Sequence, residues 1–167
     1  IARKAKVLPS PPRRLRVYAL DPSIAKSLDS VAINETVVHV PWEEGLLPGP
    51  VGEYLEVVDV DPASDRLYDP VDLNEPKLLA QDGWPPSEGN PQFHQQMAYA
   101  VAMKTIKNFE EALGRKVLWA PRWAPVERNG KKALAAYEVP RLRIYPHALR
   151  TDNAYYSPDK VALLFGY

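Results

Sequence analysis

Three histidines, His39, His94 and His147, are the side chains best suited to bind a metal or move a proton in this chain. They lie far apart, and none forms the His-x-x-x-His pair that puts two imidazoles on one helix face. A zinc site built from distant residues stays open, although no spacing points to one. The simpler reading puts His94 at the surface or boundary of a helix and makes His39 and His147 strand residues bonded to backbone. Asp59, Asp61 and Asp65 form a second cluster. Their carboxylates suit calcium, but the loop lacks the Gly and terminal Glu of an EF-hand, so ordinary turn chemistry competes. Trp42, Trp84, Trp119 and Trp123 could stack on carbohydrate; filling a core or pinning a loop is the commoner work of tryptophan. Glycines are scattered rather than gathered into a phosphate loop, and no Gly-x-Ser-x-Gly elbow is present.

Composition narrows the field. The 167 residues suffice for one domain, charged groups cancel to a formal net charge of zero, and cysteine is absent. Disulfides and thiolate metal sites are therefore excluded. No overall field draws the chain to nucleic acid or an anionic membrane. No apolar run approaches the roughly 20 residues that span a bilayer, and no signal-peptide pattern is visible. Together these lean towards a cytoplasmic location.

Proline, with 18 residues, is the unusual component. It cuts helices and central strands and predicts short strands joined by ordered turns. Residues 1–14 read as a basic, proline-rich arm, with Arg13, Arg14 and Arg16 completing a positive cluster that is read as solvated. Strands are expected at Leu15–Leu20, Glu35–Val40, Tyr54–Val60, Val117–Ala120, Ala133–Val139, Leu142–Tyr145 and Val161–Tyr167. Asp21-Pro22-Ser23 offers a turn or helix start, Leu46–Val51 a loop, and Leu78–Gln81 a helical turn. Asn129-Gly130 is a hairpin turn signal.

The clearest element is a helix over 91–113. Asn90 can cap it, Pro91 suits its first position, and Gly114 suits a left-handed stop. Phe93, Met97, Val101, Ala102, Ile106, Phe109 and Leu113 give it a wide apolar face. The fold class expected is α+β: a curved, mostly antiparallel sheet packed on this one long helix, with a proline-rich β region before it. Residues 15–167 form a single domain, of which 15–88 is the β-rich part.

From residue 89 onward the order of pieces is familiar. A helix opens with Asn90-Pro91-Gln92-Phe93-His94-Gln95-Gln96-Met97-Ala98-Tyr99 and closes with Phe109–Gly114. Then come Leu142-Arg143-Ile144-Tyr145-Pro146-His147-Ala148, the motif Asn153-Ala154-Tyr155-Tyr156, and Val161–Tyr167. This resembles the N-terminal lobe of thermolysin-like zinc metallopeptidases, the gluzincin group, and more closely uncharacterised bacterial relatives. The resemblance implies an edge strand that takes a peptide or protein substrate as an extra strand. On it Asn153 and Ala154 would contact substrate backbone, the Asn153 amide clasping it. Tyr155 and Tyr156 would lie on alternate faces, one towards the core and one towards the cleft.

The same resemblance implies zinc for a full-length relative, held by His-Glu-x-x-His and a later Glu. None of those residues is in this chain, so no catalytic or metal residue and no activity are expected of it alone. The reading is of a cleft-forming lobe that is a piece of a longer peptidase, ending before the catalytic half. Its apolar face near Val161–Tyr167 and along the helix should be exposed to that half or covered by self-association. A non-catalytic module binding an extended peptide is the first alternative, and an unrelated structural or enzymatic α+β domain the second.

Overall fold

A computed structural model describes residues 10–20, 34–128 and 131–167. Their elements run β1 (Arg13–Tyr18), β2 (Glu35–Val40), β3 (Leu55–Val57), β4 (Val60–Asp61), β5 (Arg66–Leu67), α1 (Pro76–Ala80) and α2 (Pro91–Leu113). Then follow β6 (Arg122–Arg128), β7 (Lys131–Tyr137), β8 (Leu142–Leu149), β9 (Ala154–Ser157) and β10 (Ala162–Gly166). The fold is α+β, with one long helix and mostly antiparallel pairings. Residues 1–9, the Asp21-Pro22-Ser23 turn and the Asn129-Gly130 turn lie outside the described residues. No helix among the described residues is long and apolar enough to cross a membrane.

Helix α2 has the expected ends. The Asn90 side chain accepts from the Gln92 N–H, and Gly114 adopts the left-handed conformation while its N–H reaches the Glu110 carbonyl. Its buried face differs from the apolar stripe. Val101, Phe109 and Leu113 are exposed, whereas Phe93, Gln95, Gln96, Tyr99, Ala100, Met103 and Ile106 are buried. The helix leans on two sheets at once: the antiparallel pair β1–β2, and β3 and β8 of a four-stranded sheet. Leu15, Val17, Val40, Leu55, Val57, Leu142 and Ile144 meet Tyr99, Ala100, Met103 and Ile106 in the shared core. Each fully buried Val, Leu or Ile contributes about 1.5–3 kcal/mol by leaving water.

The four-stranded sheet has the order β3-β8-β10-β9. Its pairings are mixed: β3 and β8 are parallel, β8 and β10 are parallel, and β10 and β9 are antiparallel. Parallel neighbours need a long crossover, and α2 supplies the one between β3 and β8. The expected strand Tyr54–Val60 is two strands. Its first part runs beside β8, and its end turns to pair with β5. The expected strand Val117–Ala120 is a coil pinned by side chains. The Trp119 indole donates to the Tyr54 carbonyl at 3.0 Å, and the Val117 N–H reaches Glu110.

Strand β1 begins two residues before the expected Leu15, and this changes the reading of the arm. Arg13 is buried, donates to the Leu73 carbonyl and to Asn74, and lies 4.4 Å over the Trp42 ring. Arg14 pairs with Asp82 and Arg16 with Glu35, so these three charges are spent within the fold. Strands β6 and β7 pair through seven positions as a ribbon that packs little on the rest. Trp123, Leu134 and Tyr137 are exposed on it. Trp42, Trp84 and Trp119 are partly buried, as loop-pinning predicts, and Trp123 is not.

Two adjacent glutamines tie the helix to its surroundings. Gln96 accepts from the Trp84 N–H and donates to the carbonyls of Arg16 and Trp84, at 2.8, 2.9 and 3.0 Å. Gly83 passes so close that a Cβ there would lie 2.3 Å from the Gln96 Oε1, and its φ is +86°. Replacing Gln96 by Leu leaves one buried donor and two carbonyls without their partner. Gln96→Leu should lower stability in urea unfolding by about 3 kcal/mol. Val101→Ser, on the exposed side of the same helix, should change it by no more than about 0.5 kcal/mol.

Candidate functional site

The motif Asn153-Ala154-Tyr155-Tyr156 lies at the rim of the four-stranded sheet. Strand β9 pairs with β10 on one side, in the register Ala154↔Phe165, Tyr155↔Leu164, Tyr156↔Leu163 and Ser157↔Ala162. Among the described residues no strand pairs with its other side. All four motif residues are exposed.

The ladder fixes which backbone groups face out. The Gly166 N–H donates to the Asn153 carbonyl at 2.9 Å, which turns Asn153 towards β10. Antiparallel pairing alternates, so Tyr155 and Ser157 also turn inward, while Ala154 and Tyr156 present their backbone groups to the open edge. The Ala154 N–H is taken by the Asn153 side-chain oxygen at 2.8 Å. The outward groups left are the Ala154 carbonyl and the Tyr156 N–H and carbonyl. Tyr156 shares a face with Leu163 and Ile144, the helix side of the sheet, and Tyr155 lies on the opposite face. The expected alternation holds, but neither ring is in the core: Tyr155 and Tyr156 are 48% and 47% exposed.

Gly166 is needed where it stands. A Cβ on it would fall 1.8 Å from the Thr151 carbonyl oxygen, so the chain entering β9 can pack on β10 only because that side chain is missing.

The second constellation joins residues distant in sequence. His147 on β8 places Nδ1 2.6 Å from the Asp59 carboxylate, and its Nε2 faces the His94 Nδ1 at 2.7 Å. The other Asp59 oxygen accepts from the Gln95 amide at 2.9 Å. Gln95 also donates to the Asp69 carbonyl and accepts from the Val71 N–H. Asp59, Gln95 and His147 are buried, and His94 is partly so. Tyr68 and Tyr167 stand edge-on to the His147 ring at 5.2 and 5.1 Å. The expectation that His147 bonds to backbone is therefore corrected: its partners are a carboxylate and a second imidazole. His94 is a boundary residue, as expected, and His39 is exposed on β2. Burial, then the facing His147, lowers the pKa of His94.

The three aspartates are divided among different tasks. Asp61 accepts from the N–H groups of Ala63 and Ser64 at 3.0 and 3.1 Å and from the Tyr167 hydroxyl. Asp59 belongs to the histidine chain, and Asp65 is exposed in the β4–β5 turn with a φ of +51°. Among the described residues no three His, Asp or Glu side chains are grouped to hold a metal ion. A pocket of about 180 Å³ opens between Val51, Val57, Leu67 and Tyr68, with Asp59 and Gln95 at its polar side. Both polar groups already have partners within the fold, and the space is below the roughly 300 Å³ of ordinary ligand sites.

Comparison with protein-family models, with curated proteins and with solved structures finds no match for this chain. The functional reading therefore stands on geometry. Sequence reasoning singled out the edge motif but missed the Asp59–His147–His94–Gln95 cluster. The one local signal was a pair of glutamines on the inner side of a helix, since buried amides demand partners.

Asp61 carries a pH dependence of known sign. The Tyr167 hydroxyl, then Ser64 and Ala63, hold its pKa down to about 2 against the opposing effect of burial. Its charged form is favoured by folding, so its stabilisation is complete above the unfolded carboxylate pKa of about 3.9 and fades as pH falls towards 2. The stability difference between the natural protein and Tyr167→Phe should be present at neutral pH and shrink across that acid window. A urea-unfolding series against pH measures it, and a constant difference would reject the assignment.

Proposed function

We propose that this chain captures an extended peptide by strand addition along β9, as the substrate-cleft wall of a zinc metallopeptidase-like protein. The observation that carries the proposal is the open side of β9, with the Ala154 carbonyl and both Tyr156 backbone groups turned outward. A peptide laid there continues the sheet with backbone hydrogen bonds that demand no particular sequence. Asn153 is poised at the entry of the strand. Its side-chain oxygen serves the Ala154 N–H, so the clasp on substrate falls to its NH2 group. Tyr155 and Tyr156 give the bound strand an aromatic surface on either face.

Exposed apolar surface supports the lobe reading. Phe109, Leu113 and Leu118 line a groove of about 320 Å³ at the end of α2, and Phe165 and Tyr167 are exposed beside β9. Faces of this kind mark contact with another body, and a catalytic half or a second copy of the chain fits the need. On this reading the chain binds peptide without hydrolysing it, and zinc belongs to the catalytic half of a longer relative.

Proline at position 156 removes the outward N–H without touching the ladder to β10, a change an edge strand tolerates. A blocked hexapeptide of alternating threonine and valine should shift the amide resonances of β9 and be recovered uncleaved by mass spectrometry. Tyr156→Pro should weaken this binding about tenfold, while Tyr156→Phe should not. Equal affinity for the two variants would sink strand addition at this edge.

A further inference from the structure

We propose that one face of the β6–β7 ribbon adsorbs to an anionic lipid surface, with Trp123 and Leu134 entering the headgroup layer. This activity is separate from peptide capture along β9.

The register of the ribbon defines the face. Trp123 stands opposite Ala136, Pro125 opposite Leu134, and Glu127 opposite Lys132. Paired residues share a face, as do alternate residues along each strand. These six side chains therefore form one surface, and all six are exposed. Its inner part, Trp123, Pro125, Leu134 and Ala136, is continuously apolar, with Trp123 65% and Leu134 68% exposed. The opposite face differs, because Arg122, Ala124 and Ala135 on it are partly covered.

Charge is segregated onto the same ribbon. Arg122, Arg128, Lys131 and Lys132 stand against the single carboxylate of Glu127, which leaves the ribbon at +3 in a chain that sums to zero. The overall balance thus conceals a local cationic field. Arg122 donates to the Asp159 carbonyl, a neutral acceptor that leaves its charge uncancelled. By register, Arg128, Lys131 and Lys132 all lie towards the turn end, so the positive charge borders the apolar part.

An apolar patch bordered by cations matches a surface that is anionic outside and apolar beneath. Tryptophan favours such an interface, since its ring is apolar and its N–H stays hydrated. Lysine and arginine beside it meet anionic headgroups. Two other partners fit less well. Bases of a single nucleic-acid strand stack on successive rings, but Trp123 is the one aromatic side chain on this face, and Tyr137 lies on the opposite one. A further strand needs backbone donors along the edge, and Pro125 within β6 supplies none.

The test is sedimentation of the full chain with sucrose-loaded vesicles. Phosphatidylcholine vesicles with about 30% phosphatidylserine should carry it down at low salt. Pure phosphatidylcholine should bind it about tenfold more weakly, and about 0.5 M NaCl should release it. Trp123→Ser combined with Leu134→Ser should weaken binding at least about tenfold, and Lys132→Glu should weaken it about tenfold. Brominated acyl chains should quench the tryptophan emission of the natural protein, because Trp123 alone among the four tryptophans is exposed. Equal binding to the two vesicle types, no quenching, or undiminished binding by both variants would overturn the proposal. So would tighter binding to a thymidine oligonucleotide than to the anionic vesicles. If the double variant loses its ribbon, lipid composition, quenching and the exposed Lys132→Glu still decide.

Discussion

Two neighbouring amides on one helix, Gln95 and Gln96, hold this structure in register. Each is fully buried and each bonds to loop segments outside the regular ladders, Gln96 reaching strand β1 as well. Gln96 binds β1 and the loop at Trp84. Gln95 binds the loop from Asp69 to Val71 and the Asp59 carboxylate. A buried amide without partners is expensive, and one with all its partners specifies a single arrangement. The proline-rich loops between β5 and α2 have few backbone partners of their own, so these side chains take that role. The histidine chain depends on the same fixation, because Gln95 holds one Asp59 oxygen while His147 holds the other.

A similar logic runs through the other buried polar groups. Tyr99 reaches across the helix–sheet junction to Glu43. Burial, then that carboxylate, pushes the Tyr99 hydroxyl far above the usual phenol range, so it remains a proton donor at every pH the fold survives. Arg13 is surrounded by Trp42, Leu73 and Asn74, and the charges of Glu43 and Asp72 offset part of the burial that lowers its pKa. The β1–β2 pair is therefore joined to the helix by directed bonds as well as by apolar contact.

Local chemistry made much of the fold legible. The ends of α2 follow from Asn90, Pro91 and Gly114 because capping depends on residues next to one another. Strand Glu35–Val40 and the pairing of Asn153–Tyr156 with Val161–Tyr167 could be read from local sequence and turn residues, while the edge position of Asn153–Tyr156 was an expectation from the family resemblance. The inner face of α2 could not. Apolar spacing selects Val101, Phe109 and Leu113, but these are exposed, and the places at the first turns of the core go to Gln95 and Gln96. Periodicity counts hydrophobicity, and a buried amide is invisible to it until its partners are known. The change of partner within Tyr54–Val60 and the meeting of Asp59 with His147 were hidden for a related reason. Both are set by the crossover that returns β8 beside β3, which is a fact of topology.

The ribbon β6–β7 stands apart from this network of directed bonds. Its seven paired positions pair with each other, both faces carry exposed side chains, and the Arg122 side chain reaches across to the Asp159 carbonyl. A two-stranded ribbon without a third strand or a covering helix is marginally stable in water. It should therefore open as a separate cooperative unit from the helix and its sheets, at a lower free energy, with amide exchange independent of global unfolding. A substitution that weakens the ribbon can thus leave the melting of the core untouched and register only in the protection of its own amides.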